Sequence, residues 1–82
     1  MKIVFDCETD GLKPTKVHCL VAEVLGGERK AFTEAQEFND WLAQHKGATL
    51  YAHNGFGFDY PVLHKLWGTD WAGFTLRDTL CL

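Results

Sequence analysis

Ile3-Val4-Phe5-Asp6-Cys7-Glu8 decides how this chain is read. Three consecutive apolar residues form a run of the kind that ends up as a buried strand. Residues 2–5 are therefore predicted as the first strand, with two carboxylates leaving its C-terminal end. Alternation puts Asp6 and Glu8 on one face and turns the intervening Cys7 away from them. Carboxylates at the end of a buried strand are costly unless something positive meets them. Hard divalent cations, which take oxygen ligands, are the natural partner.

Downstream, Thr9-Asp10-Gly11-Leu12-Lys13-Pro14 is turn chemistry. Residues 17–25 read as a second strand, Gly26-Gly27 as a two-residue hairpin turn, and residues 28–32 as the returning strand. Residues 33–46 form the clearest helix. Thr33 and Gln36 match a capping box, Phe38, Trp41, Leu42 and His45 share one face, and Gly47 supplies the stop. Residues 48–52 read as a fourth strand. A second helix is predicted over 58–67, with Pro61 tolerated in its first turn and Gly68 ending it. Residues 74–77 read as a last strand, after which Asp78-Thr79 suits a helix cap. The order β-β-β-α-β-α-β predicts an α/β domain: a mixed sheet of three antiparallel strands followed by βαβ units.

Length and composition set limits on function. Residues 1–82 make a single domain, and a chain this short buries roughly 60–65% of its unfolded surface. At 46% hydrophobic residues it is composed like a packed globule. Its net charge of −3 excludes a protein held to nucleic acid by phosphate neutralisation alone. It does not exclude one whose acidic site meets phosphates through bound cations. Cys7, Cys19 and Cys81 are odd in number and form no CxxC pair, which argues against a disulfide framework and against zinc. Neither a signal peptide nor a membrane span is readable, so a cytoplasmic location is expected, with no membrane partner.

The second acidic element is His53-Asn54-Gly55-Phe56-Gly57-Phe58-Asp59. In a parallel βαβ arrangement, the C-terminal ends of neighbouring strands open on one crevice. Asp59, at the start of the second helix, is thus expected to approach Asp6 and Glu8 from across that crevice and on the same side. Two cations held by such acids activate a water and offset charge on a scissile phosphate.

These residues resemble a known family. Asp6-Cys7-Glu8-Thr9-Asp10-Gly11-Leu12 is similar to the first motif of the DEDD (DnaQ-like) 3′–5′ exonucleases. His53-Asn54-Gly55-Phe56-Gly57-Phe58-Asp59 is similar to the second, in which an Asn precedes an aromatic-Asp pair. The run on through Tyr60-Pro61-Val62-Leu63, and the later Arg77-Asp78-Thr79-Leu80, resemble the proofreading domain of phage family A DNA polymerases.

The resemblance implies a ribonuclease H-like fold, incomplete at its C-terminus. It implies two divalent cations, Mg²⁺ or Mn²⁺, held by Asp6, Glu8 and Asp59, and hydrolysis at single-stranded DNA 3′ ends, with RNA left open. Thr9 and Leu12 would touch the terminal nucleotide, with Asn54 and Phe58 along the substrate strand. A DNA polymerase domain is an implied partner, and an exposed C-terminal edge would suit a homo-oligomer. The family's third motif, a Tyr or His four residues before a fourth Asp, is not among these residues. The chain alone is therefore expected to be weakly active or inactive. The alternatives are a non-catalytic remnant of the same fold that binds nucleic acid or a polymerase and, well behind, a haloacid-dehalogenase-like phosphatase with Asp6 as nucleophile. The latter wants an Asp where Glu8 stands.

Plainer roles suit several neighbours. Asp10 reads as a turn residue, Asp78 as a structural cap or a group supporting the site from behind, and Gly55 and Gly57 as sites of close backbone packing. His53 reads as a packed or hydrogen-bonding strand-end residue, and the three tryptophans as core or edge.

Overall fold

The computed structural model describes residues 1–11 and 13–79. Five strands and two helices follow in the order β1 (Lys2–Thr9), β2 (Val17–Val24), β3 (Arg29–Phe32), α1 (Ala35–Ala43), β4 (Thr49–Ala52), a π-helical turn (Gly55–Asp59), α2 (Tyr60–Trp67) and β5 (Thr75–Asp78). The sheet order is β3-β2-β1-β4-β5. β2 runs antiparallel to both β1 and β3, while β4 lies parallel to both β1 and β5. This is the mixed α/β arrangement of a ribonuclease H-like fold.

β1 is twice as long as its apolar run predicts. Ile3, Phe5 and Cys7 point inward while Lys2, Val4, Asp6 and Glu8 point outward. The extension is possible because β2 pairs with β1 as far as Thr9, with a register shift after Glu8. Asp6 and Glu8 therefore sit within the strand instead of leaving it.

The core forms between one sheet face and both helices. Phe5 is the meeting point. Its ring lies 6.2 Å from Phe38 of α1, 5.7 Å from Tyr60 of α2 and 5.8 Å from Trp71. Leu20, Ala22, Phe32, Leu42, Leu50 and Leu63 complete the buried cluster. Each of the leucine and phenylalanine side chains contributes roughly 1.5–3 kcal/mol on burial. The Cα radius of gyration, 11.6 Å, is near the about 11.7 Å that a closed globule of this length has.

The other sheet face carries no helix among the described residues. Lys2, Val4, Asp6 and Glu8 point into it, and by register so do Glu23 and Tyr51 beside Val4 and Val21 beside Asp6. β3 and β5 are the sheet edges.

Several local signals resolve differently from their sequence reading. α1 begins at Ala35 behind an N-cap Glu34 that makes no side-chain cap bond. The capping box at Thr33 does not form, because the Gln36 amide donates to Asp40 at 3.2 Å instead. α2 ends as expected: Gly68, at φ 65°, lets its N–H reach the carbonyls of His64 and Leu63. Asp78 belongs to β5, which starts at Thr75; what would follow a cap at Asp78-Thr79 lies outside the described residues, as do Leu80 and Cys81. Among the described residues no helix is long and apolar enough to cross a membrane.

Candidate metal centre

The chain leaves β4 at Ala52 and must reverse into α2 over very few residues. Asn54 does this in the left-handed region, at φ 56°. Asn adopts that conformation more readily than most residues. Gly55 follows because there is no room for a side chain: a Cβ there would lie 2.6 Å from the Tyr60 ring and 2.9 Å from Cβ of Ala52. A Cβ on Gly57 would lie 2.6 Å from Oδ1 of Asn54. Both glycines serve close packing, as expected from the sequence. The turn is wide: the N–H of Tyr60 reaches back to the carbonyl of Gly55, an i to i−5 bond. Such π-turns recur at functional sites.

The turn is held from outside. The Asp78 carboxylate accepts the N–H of Asn54 at 2.8 Å and that of Phe56 at 3.1 Å. The Tyr60 hydroxyl bridges the carbonyls of Leu50 and Arg77, at 3.1 and 2.6 Å. His53 Nδ1 lies 3.2 Å from the Thr79 hydroxyl. His53 is thus a hydrogen-bonding residue of the strand end.

Asp59 closes the turn and leads into α2. Its backbone is already helical, at φ −59° and ψ −48°, and its side chain caps nothing. Instead the carboxyl is buried, 4% exposed, and takes the Cys7 thiol at Oδ2, 3.5 Å away. Burial pushes Asp59 up to about 6, and the charge of Asp6 adds to this, while the thiol hydrogen bond opposes it. Among the described residues, its largest influences come from burial, the Cys7 thiol and Asp6. Cys7 is raised to about 12 by burial first, then by the carboxylates of Asp59, Asp6 and Glu8. It stays a protonated donor, which removes it as a nucleophile.

The geometry departs from the expectation that all three carboxyls share one side. α2 packs on the helix-covered face, so Asp59 reaches β1 where Cys7 points. Asp6 and Glu8 project from the opposite face of the same strand. Cys7, expected to stand clear of the acids, is the residue that touches Asp59. Asp6 and Asp59 still sense each other's charge. Among the described residues, no group of three or more His, Cys, Asp or Glu side chains is drawn into one ligand set.

The candidate substrate contacts are spread around this end of the sheet. Thr9 is half-buried, with its hydroxyl donating to the carbonyl of Gly11 at 3.0 Å. Asn54 is exposed, and Phe58 is half-buried against the core. Leu12 lies outside the described residues. Asp10 is a turn residue as expected. It accepts Thr15 N–H at 2.9 Å and the Thr15 hydroxyl at 2.6 Å, which holds its carboxyl down at about 2.

Sequence reasoning missed three participants. The first is the contact from Cys7. The second is the reach of Asp78, named as a cap or supporting group but not for this turn, because its partners lie 22 and 24 residues away. The third is Phe56, a large apolar side chain 55% exposed beside Asn54.

No family model matches the sequence, and no curated protein matches it significantly. A solved structure does share the fold: the family B DNA polymerase from the hyperthermophilic archaeon Pyrobaculum calidifontis. The TM-score is 0.67 and the identity 19%, over 96% of this chain and 13% of that one. The likeness is one of fold, and the chain spans a small part of the polymerase.

Proposed function

We propose that this chain is a metal-dependent nuclease core of the 3′–5′ exonuclease type, acting on single-stranded DNA 3′ ends in association with a DNA polymerase. One observation carries the reading. Asp59 is buried at the start of a helix it does not cap, pushed up by burial and by Asp6. A carboxyl kept at that cost is a functional-site candidate. Together with Asp6 and Glu8, which project from the other face of β1, it would have to form an all-oxygen donor set, the kind that suits a hard cation and not zinc.

Asp6, Glu8 and Asp59 would be the residues to hold two Mg²⁺ or Mn²⁺ ions. When bound, such ions activate a water and offset charge on the scissile phosphate. Thr9 and Leu12 would position the terminal nucleotide, and Asn54 and Phe58 the strand behind it. The fold shared with part of a DNA polymerase supports a polymerase-associated role.

The test is a Mn²⁺ titration by calorimetry, paired with a cleavage assay on a 5′-labelled single-stranded oligonucleotide. Wild type should bind Mn²⁺ and shorten the strand slowly from its 3′ end. D6A and D59A should abolish binding, and E8A should weaken it. Absence of both binding and shortening would refute the proposal. The opposed faces of Asp6 and Asp59 favour a second reading, a non-catalytic remnant that binds nucleic acid or a polymerase. It requires oligonucleotide binding that is indifferent to Mn²⁺ and to D59A.

A further inference from the structure

The turn that carries Asp59 is held by a group outside its own helical segment. The first N–H groups of any helical segment have no partner within it. An N-cap side chain usually takes one of them, yet Asn54 at the head of the turn makes no such bond. Asp78 does so from another strand. Its carboxylate is 7% exposed and accepts two of these N–H groups at once. A negative charge there also meets the positive end of the helix dipole.

The sheet explains why Asp78 can reach. β4 and β5 pair in parallel with Ala52 opposite Asp78, so the carboxylate stands beside the point where the chain leaves β4. The two bonds straddle Gly55, the residue with no room for a side chain. Asp59 comes three residues after Phe56, and its contact with Cys7 depends on where the turn is set.

We propose that Asp78 is the positioning residue for Asp59: its carboxylate fixes the Asn54–Phe56 turn, and the turn delivers the Asp59 carboxyl to β1. The inference rests on the nuclease reading where it concerns cations. Asp78 would act on the site through the turn. β5 is thereby more than an edge of the sheet. It sets the geometry of a site built on β1 and α2, and the Tyr60 hydroxyl, bonded to the carbonyls of Leu50 and Arg77, ties the same strand to the first residue of α2.

Asp78→Asn is the informative variant, because it keeps the shape of the side chain. An amide retains one acceptor oxygen but presents N–H to the second backbone N–H, so one of the two bonds is lost. Asp78→Ser keeps a single short hydroxyl and serves should D78N fold poorly. Leu76→Ala, elsewhere on β5, controls for loss of stability alone. All are compared at a temperature where circular dichroism shows each fully folded. Three readouts apply to the full chain: Mn²⁺ affinity, amide exchange at Asn54 and Phe56, and the rate of Cys7 alkylation located by mass spectrometry.

In D78N, Mn²⁺ binding should weaken tenfold or more, the two amides should exchange at least tenfold faster, and Cys7 should alkylate faster as Asp59 moves off it. L76A should change none of these by more than twofold. The proposal is overturned if D78N binds Mn²⁺ within twofold of wild type with Cys7 unchanged, or if L76A matches its losses. If wild type binds no Mn²⁺, the nuclease reading falls, and the amide and Cys7 readouts alone decide whether Asp78 positions Asp59.

Discussion

At neutral pH Asp59 carries a charge that its surroundings resist. Its carboxyl sits at about 6 in the fold against an ordinary 3.8, chiefly through burial. Below about 4 it is protonated both folded and unfolded, and nothing is lost. Between about 4 and 6 the folded chain holds a proton that the unfolded chain has released. Above 6 the fold bears the full cost of the charge, on the order of 2–3 kcal/mol. Stability in a metal-free buffer should thus fall as pH rises from 4 to 6, measured by urea unfolding. Asp59→Asn should flatten that limb and stabilise the metal-free protein at pH 7 by about 1–3 kcal/mol. A stability curve that rises over this interval would contradict the assignment. Stabilisation by losing an acid is the signature of a residue kept for something other than folding.

At the scale of the elements, the reversal between β4 and α2 should be intolerant in a specific way. Gly55→Ala forces a methyl into the Tyr60 ring and Ala52, at a cost of about 1–3 kcal/mol. Asn54→Gly should be near neutral, and Asn54→Val should cost about 1–2 kcal/mol, because its φ is positive. Chemical denaturation of the three variants checks the order. α1 offers the opposite case. Glu34 occupies the N-cap without capping, so Glu34→Ser should raise stability by about 0.5–1 kcal/mol.

These two helix starts show how far the sequence can be read. Strand and helix order was legible because periodicity reports which side of an element is apolar. The start of α1 was not, since a Thr-x-x-Gln spacing matches a capping box whether or not Asp40 competes for the Gln36 amide. Nor was the π-turn legible, because its cause is the bulk of Tyr60 and the reach of Asp78, both fixed by tertiary placement. Asp6, Glu8 and Asp59 were singled out by their places at the ends of a strand and a helix and by the resemblance of their segments to two family motifs. The side on which Asp59 meets β1 was beyond such reading. It depends on which sheet face α2 covers, and a single β-strand pattern with outward acids and an inward thiol is compatible with either.

The whole molecule has little stability in reserve. At roughly 0.05–0.15 kcal/mol per residue, 82 residues provide about 4–12 kcal/mol. Phe38 is 1% exposed and its ring packs against Phe5, Phe32, Trp41 and Trp67. Phe38→Ala should cost about 3–5 kcal/mol and leave a substantial unfolded fraction at 37 °C, visible by circular dichroism. Both helices lean on one sheet face, so the loss cannot be shared with a second core among the described residues.

Trp71 joins the ends of this arrangement. It stacks on Phe5, one residue before Asp6, and its indole N–H donates at 2.9 Å to the carbonyl of Tyr60, one residue after Asp59. Nature has thereby placed a fluorophore between the two acidic segments. Its emission should shift when a divalent ion draws those segments together, giving an optical signal of occupancy that needs no label.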